Sequence, residues 1–280
     1  MDYNTDIAEY TSGDLPKRIK ALQSRLSDLT AGYKLFYKHE LPSTNDWAFM
    51  LGSEKNVAPA VFLCDMQTRG KGRFGRVWES RDGASLTFTV LTEPKCRVES
   101  FPMLTLVYGL AACTAIRKLG GFDAMIKWPN DIVFCGRKLC GILSGAIPEK
   151  KQVFIGSGFN LRKTELPPEL KDKAISMEEC GAPADADDLL ISVVREFEKR
   201  LDIFERTGNM SGLKDEYEAL LINKEKDSVV LIRENGIETK LSGRAVGIDA
   251  NGSLVFKSDD GRMINVSSGE VSVSGIYGCE

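Results

Sequence analysis

Eight residues, Arg69 to Arg76, hold four cations (Arg69, Lys71, Arg73, Arg76) and three glycines (Gly70, Gly72, Gly75). Glycines let backbone N–H groups come close to an anion, and basic side chains set between them can neutralise phosphate or carboxylate from several directions. The spacing Gly70-x-Gly72-x-x-Gly75 matches the dinucleotide fingerprint letter for letter. That fingerprint requires a helix immediately afterwards. Here Val77-Trp78-Glu79-Ser80-Arg81-Asp82-Gly83 reads as a turn leading into another strand, so the Rossmann reading is rejected. No Gly-Lys-Ser/Thr closes the segment, so it is not a Walker loop either. The remaining readings are an anion cradle that orders when a ligand supplies counter-charge, and a solvated basic loop whose cations repel one another.

Three further segments place reactive side chains beside predicted strands. Ser43-Thr44-Asn45-Asp46 precedes an amphipathic helix and, taken alone, is a helix cap. Lys127-Trp128-Pro129-Asn130-Asp131 separates two strand-like runs, and Pro129 breaks the ladder there, so the bend projects an amide and charges. Lys138 opens the run Lys138-Leu139-Cys140-Gly141-Ile142-Leu143, where a lysine alone reads as edge-strand protection. The single histidine, His39, sits among charges and is read as structural or exposed. Seven cysteines, with no Cys-x-x-Cys pair, form neither a zinc site nor a dense disulfide framework. They read as reduced and mostly buried.

The elements that must hold these groups follow from periodicity. Leu15, Ile19, Leu22, Leu26 and Leu29 draw one apolar stripe over 14–31, with Asp14 as cap and Gly32 as stop, and such a stripe docks on its parent domain. Strand-like runs occupy 33–37, 60–66, 85–91, 124–128, 131–135, 138–147 and 152–160. A helix fills 101–119, a hairpin turn is set at Gly136, and helices cover about 185–206 and 211–221. Residues 162–184, with three prolines and many charges, read as a long surface connection. After Asn223 the texture changes to five short strands, separated mostly by the turns Asn235-Gly236, Asn251-Gly252 and Asp260-Gly261, which suits a small SH3-like barrel. The boundaries this gives are an amino-terminal helical extension over 1–35, a main α/β domain over 36–223 and the barrel over 224–280. A barrel of that kind need not take part in the stability of the core.

In their order, these pieces resemble the biotin protein ligases. That family's pattern is a Ser-Thr-Asn element, a Gly-Arg-Gly-Arg-x-Gly-Arg loop, a Lys-Trp-Pro-Asn-Asp element, a Lys-Leu-x-Gly-Ile-Leu strand and a Gly-x-Gly-x-Asn strand. They stand here as Ser43–Asn45, Gly70–Arg76, Lys127–Asp131, Lys138–Leu143 and Gly156–Asn160. The resemblance spans about residues 40–275. It implies an α/β (α+β) fold: a mixed β-sheet flanked by helices in a class II synthetase-like core, plus the small C-terminal barrel. It also implies a reaction in which biotin and Mg-ATP give biotinyl-5′-AMP, and biotin then passes to a lysine of a biotin carboxyl carrier domain.

By resemblance the catalytic residues are Arg73, Lys127, Asp131 and Lys138. Biotin falls to Ser43, Thr44, Asn45, Gln67, Gly70, Lys71, Arg73, Lys138 and Gly141. The nucleotide falls to Arg73, Arg76, Trp78, Asn130, Lys138 and Asn160, with Asn130 on phosphate or its Mg²⁺. Asp131 orients or deprotonates the acceptor amine, or else is a structural partner of Lys127 or an arginine. The chain departs from the pattern at Lys71, which lacks the arginine fork, and at Phe74, which removes a cation. The adenine-stacking tryptophan of some members has no counterpart near Ala174-Ile175-Ser176-Met177. No helix-turn-helix is legible around 14–31, so the resemblance is to the monofunctional type.

A net charge of −3 carries no basic excess of the kind a nucleic-acid binder shows. No apolar run in the sequence approaches a membrane span, and the acidic start Met1–Asp6 is not a targeting signal, so the expected location is cytoplasmic, without membrane or nucleic-acid partners. The alternatives are a lipoate or octanoate ligase of the same fold, and a non-catalytic biotin-binding protein.

Overall fold

In the computed structural model, residues 15–165, 170–234 and 237–277 are described, with side chains at 233–238 set aside. The Asp14 cap, the acidic start, the Asn235-Gly236 turn and Cys279 lie outside these residues. In chain order the elements are α1 (Lys17–Ser27), β1 (Lys34–Leu41), α2 (Thr44–Glu54), β2 (Ala60–Gln67), β3 (Gly70–Lys71), β4 (Val77–Trp78) and β5 (Ser85–Thr92). There follow α3 (Leu104–Gly120), β6 (Met125–Lys127), β7 (Asp131–Phe134), β8 (Arg137–Ile147), β9 (Gln152–Asn160), α4 (Ala186–Thr207) and α5 (Lys214–Ala219). The carboxy-terminal strands are β10 (Asp227–Glu234), β11 (Ile237–Ile248), β12 (Leu254–Ser258), β13 (Met263–Val266) and β14 (Glu270–Val273).

The stripe of α1 buries Ile19, Leu22 and Leu26, and its basic face meets α4 through Arg18–Asp187 at 2.6 Å and Arg25–Asp188 at 2.7 Å. The helix therefore docks on the parent fold. The main sheet runs β1-β2-β5-β9-β8-β7-β6, with β1 parallel to β2 and every other pair antiparallel. Alternation along β1 and β2 sorts side chains to two faces. Phe36 and Phe62 meet Trp47 of α2 on one face, while Leu35, Val61 and Leu63 join α3 and α4 on the other. The hairpin between β7 and β8 turns at Cys135 and Gly136, both left-handed, as a tight turn of that hand demands.

Three expectations change. Val98–Gly120, a 3₁₀ turn running into α3, is long and apolar enough by composition to cross a membrane, but it serves as a core helix, 78% buried over its most apolar stretch. The segment 77–83 is not all turn, since Val77 and Trp78 pair with Lys71 and Gly70 in a two-stranded ladder. The connection after β9 is tied down where it is described: Lys138 N donates to Lys173 O at 2.7 Å and Ile175 N to Lys138 O at 2.9 Å.

The carboxy-terminal strands form an antiparallel sheet in the order β13-β12-β11-β10-β14. β11 serves two partners, β10 along its first part and β12 after Gly243, where a Cβ would lie 2.2 Å from Lys257 O. This sheet packs against the core rather than standing apart from it. Val230, Phe256, Val266 and Ile276 belong to the same buried apolar cluster as Leu104, Leu213 and Tyr217.

Candidate active site

The cleft lies on the α2 face of the sheet, where β8 and β9 carry glycines in place of side chains. A Cβ at Gly156 would fall 2.1 Å from Asn45 Oδ1, and one at Gly158 would fall 2.2 Å from the Trp78 ring. Both positions thus need the bare backbone so that polar and aromatic groups can lie against the sheet. A cleft of about 470 Å³ results. Ser43, Thr44, Asn45, Gln67, Lys71, Arg73, Trp78, Asn130, Lys138 and Gly141 all line it, so residues far apart in the chain converge there.

Ser43 is the N-cap of α2, as its plain reading has it, accepting from Asp46 N at 3.4 Å. That cap starts the helix where Thr44 and Asn45 turn inward. Gln67 Oε1 accepts from Thr44 N at 2.7 Å, and Thr89 Oγ1 donates to Asn45 Oδ1 at 2.7 Å. Asn45 Nδ2 donates to Leu143 O at 2.9 Å. This end of the cleft is a neutral, preset array of donors and acceptors. The Trp78 indole N–H, between the two ends against Gly158 and Gly141, is buried with no hydrogen-bond partner among the described residues.

The other end is charged. Arg73 Nη1 donates to Asn130 Oδ1 at 3.0 Å, and its other terminal nitrogen donates to Gly269 O at 3.2 Å. Arg76 pairs with Glu270 at 2.5 Å and Lys71 with Asp46 at 2.8 Å, so the basic loop is offset by acids the sequence did not pair with it. Phe74 takes a left-handed conformation at φ 56° and is half exposed. Lys138 Nζ lies 2.6 Å from Asp131 Oδ1 and 5.9 Å from the Trp78 ring centroid. Burial alone would push the Asp131 carboxyl up; the Lys138 and Lys127 charges, with hydrogen bonds from Lys138 and Tyr277, outweigh it and hold the pKa below the usual value.

Not every nominated residue reaches this cleft. Gly70 belongs to the short ladder, Arg76 points to Glu270, Asp131 sits behind the lining against Lys138 and Tyr277, and buried Lys127 packs its ammonium 4.9 Å from the Tyr277 ring centroid. Asn160 donates to Lys138 O at 3.1 Å and lines a separate cavity with Arg81 and Glu179. His39 lies elsewhere, exposed, 2.9 Å from Asp65. Sequence reasoning missed Tyr277, whose hydroxyl donates to Asp131 Oδ2 at 2.7 Å. Nothing in the spacing could show it, because the contact joins residues 146 apart. A second cavity of about 660 Å³ adjoins the first and shares Arg73, Asn130, Ile142 and Leu143 with it, closed on its far side by Asn251, Gly252, Ser267 and Ser268. Among the described residues no three His, Cys, Asp or Glu side chains gather to hold a metal.

A mixed sheet with a glycine-floored cleft, a neutral polar end and a cationic end defines a class of fold and site seen in known proteins. Residues 37–160 match the Biotin/lipoate A/B protein ligase family, and residues 229–274 match the Biotin protein ligase C terminal domain. The bifunctional ligase/repressor BirA of Bacillus subtilis is 30% identical over 82% of this chain and 71% of its own. The biotin–[acetyl-CoA-carboxylase] ligase of Mycobacterium tuberculosis is 29% identical over 65% of this chain and 70% of its own. The biotin protein ligase of Aquifex aeolicus, solved with biotin and ATP, superposes with a TM-score of 0.73 at 28% identity, covering 86% of this chain and 98% of its own. The chain belongs to the biotin protein ligase family.

Proposed function

We propose that this ATP-dependent biotin–protein ligase delivers biotin to one lysine of a biotin carboxyl carrier domain, with ATP entering as its Mg²⁺ complex. The observation that carries the reading is the convergence of Lys138, Arg73 and Asn130 at one end of a cleft whose other end is the neutral array of Thr44, Asn45 and Gln67. A ureido ring needs paired donors and acceptors, and a carboxylate meeting a phosphate needs cations. The cleft offers the two side by side.

In the first step the biotin carboxylate oxygen attacks the α-phosphorus of ATP, the P–O bond to the β-phosphate breaks, and pyrophosphate leaves. Lys138 and Arg73 offset the charge of the two meeting anions and of the phosphorane between them. Lys71 and Gly141 border the biotin, Trp78 and Asn130 the nucleotide, and Asn160 supports the strand end through Lys138 O. Mg²⁺ travels with the triphosphate, whose oxygens supply most of its ligands.

In the second step the neutral acceptor Nζ attacks the acyl carbon, the C–O bond to AMP breaks, and the amine proton passes to the Asp131 carboxylate and on to water. Support for Asp131 in this role is its place beside Lys138, with a pKa held low enough to keep it an anion. The same reading divides the chain into 1–35, a biotin- and ATP-binding region over 36–223, and a C-terminal unit over 224–280. It includes a cytoplasmic location, supported by six free cysteines among the described residues. Mass spectrometry of a purified carrier domain after incubation with the protein, Mg-ATP and either biotin or lipoate tests it. A biotin adduct on one lysine is expected; an unmodified carrier, or a lipoyl adduct instead, overturns it.

A further inference from the structure

We infer that Tyr277 is a positioning residue for the transfer step, fixing the Asp131 carboxylate from the C-terminal side of the molecule. Behind β14 the chain turns back on the core. Ser274 N donates to Asp227 O at 2.9 Å, Ile276 is buried, and Tyr277 N donates to Gly136 O at 2.7 Å. The turn beneath it is shaped for this approach, since a Cβ on Gly136 would fall 2.4 Å from Gly275 O. Tyr277 itself stands in the left-handed region at φ 59°, which is uncommon for an aromatic residue and persists only where its surroundings impose it.

The hydroxyl so delivered donates to Asp131 Oδ2 at 2.7 Å while Lys138 Nζ holds Oδ1 at 2.6 Å. Each carboxylate oxygen is thus taken by a different partner, one from β8 and one from the tail, and the carboxylate plane is set by two points. A neutral donor does this without adding charge to a site already rich in cations. The ring face meets Lys127 as a cation–π partner, keeping that ammonium beside Asp131 rather than against it. Anchoring of the tail does not require the hydroxyl: Ile276 and the main-chain bond to Gly136 already do that, and phenylalanine would fill the same space.

The inference rests on the reading of Asp131 as the group that serves the acceptor amine. The charged and titratable groups facing that carboxylate are Lys138 and Cys140 from β8, Lys127 from β6, Arg73 from the basic loop and Tyr277 itself. Losing the Tyr277 donor leaves an anion with one fewer hydrogen bond, so its pKa rises and the acid limb of the transfer rate moves to higher pH.

The experiment measures single-turnover transfer from preformed biotinyl-5′-AMP to a carrier domain, across pH, for wild type, Tyr277→Phe, Tyr277→Ala, Asp131→Asn and the Tyr277→Phe/Asp131→Asn pair. Tyr277→Phe is expected to slow transfer about tenfold, with the acid limb displaced upward and the carrier concentration for half-maximal rate unchanged. In the Asp131→Asn background the same change is expected to cost nothing more, because it acts through that carboxylate. Full rescue of Tyr277→Ala by phenylalanine, with a wild-type pH profile, overturns the inference and leaves Tyr277 as packing. An unimpaired Asp131→Asn enzyme instead overturns the underlying reading of Asp131, an outcome the phenylalanine result alone cannot mimic.

Discussion

Among the described residues, two ion networks built around a buried carboxylate differ in what they face: one lies between helices, the other borders a cavity. On α4, Glu196 takes Lys118 and Lys199 at 2.9 Å and Arg200 at 2.7 Å, while Arg200 reaches on to Glu216 and to Thr114 at 3.0 Å. The partners come from α3, α4 and α5, so the network ties three helices together. Behind the cleft wall, Asp131 is the anion beside Lys138 and Lys127, while Lys138 and Arg73 line the cleft, whose floor is glycine. Burial and close pairing are common to both. What separates them is that the helix network lies between packed helices, whereas Lys138 and Arg73 also line a cleft. A buried ion cluster by itself therefore does not mark a site; cations that line a glycine-floored cleft do.

That contrast is broken most forcefully at Arg200. Replacing it with methionine leaves Glu196 inside the helices short of its closest partner, and unfolding stability is expected to fall by about 3 kcal/mol. Urea unfolding measures this, and activity per folded molecule is expected to stay at the wild-type level. A drop in activity at unchanged stability would join the two networks functionally.

The mirror experiment is Lys138→Ala. No neighbouring cation replaces its point charge on the biotin carboxylate, so biotin-dependent pyrophosphate release is expected to fall on the order of 10²-fold or more. The urea midpoint should move less than for the Arg200 variant. Near-normal release with unchanged biotin affinity would remove Lys138 from the chemistry.

Arg73→Gly sharpens the comparison at the charged end of the cleft. Its hydrogen bonds to Asn130 Oδ1 and Gly269 O tie the loop to the cleft wall and to the C-terminal sheet. Without them the adenylate is expected to leave about tenfold faster, mostly through the off-rate. An unrelated lysine-rich protein added to the reaction should then gain biotin. If adenylate still forms and the bystander gains none beyond wild type, Arg73 acts in the chemical step alone.

The smallest effect is a pH dependence. Burial would raise the Glu196 pKa, but hydrogen bonds from Lys118, Arg200 and Lys199 prevail and hold it at about 2, against 4.5 for a free glutamate. A folded-state pKa depressed in this way stabilises above about 4.5 and loses that contribution as pH falls towards about 2. Urea midpoints between pH 6 and 3 should decline for wild type and decline less steeply for Arg200→Met.

Much of the main sheet was legible because its strands are β-branched runs cut by Gly and Pro. Asn130 stood out because Pro129 breaks the ladder beside it, whereas Lys138 alone read as edge-strand protection and became a candidate only through the resemblance. Other parts depended on distant chain segments. The acids that offset the basic loop, Asp46 and Glu270, are far from it in sequence, so the loop read as four uncompensated cations. Arg200 and Glu196 stand four residues apart on α4, and that spacing alone does not show the cover that α3 and α5 provide. Gly156 and Gly158 read as a motif, but their reason, room for Asn45 and Trp78, is visible only in three dimensions.

Trp128 lies in the bend between β6 and β7, with its main-chain N–H on Asn223 Oδ1 at 2.8 Å and its indole N–H on Gly252 O at 3.0 Å. One side chain of the Lys127–Asp131 bend thus reports on a hairpin of the other sheet, at a glycine whose carbonyl must stand where it does. For inheritance this has a cost. A recombination event that exchanged everything after residue 223 with a relative would deliver a foreign hairpin to Trp128 and a foreign tail to Asp131 in a single stroke. Chimeras should work only when both travel with their matching bend, so the two halves of this chain are bound to descend together.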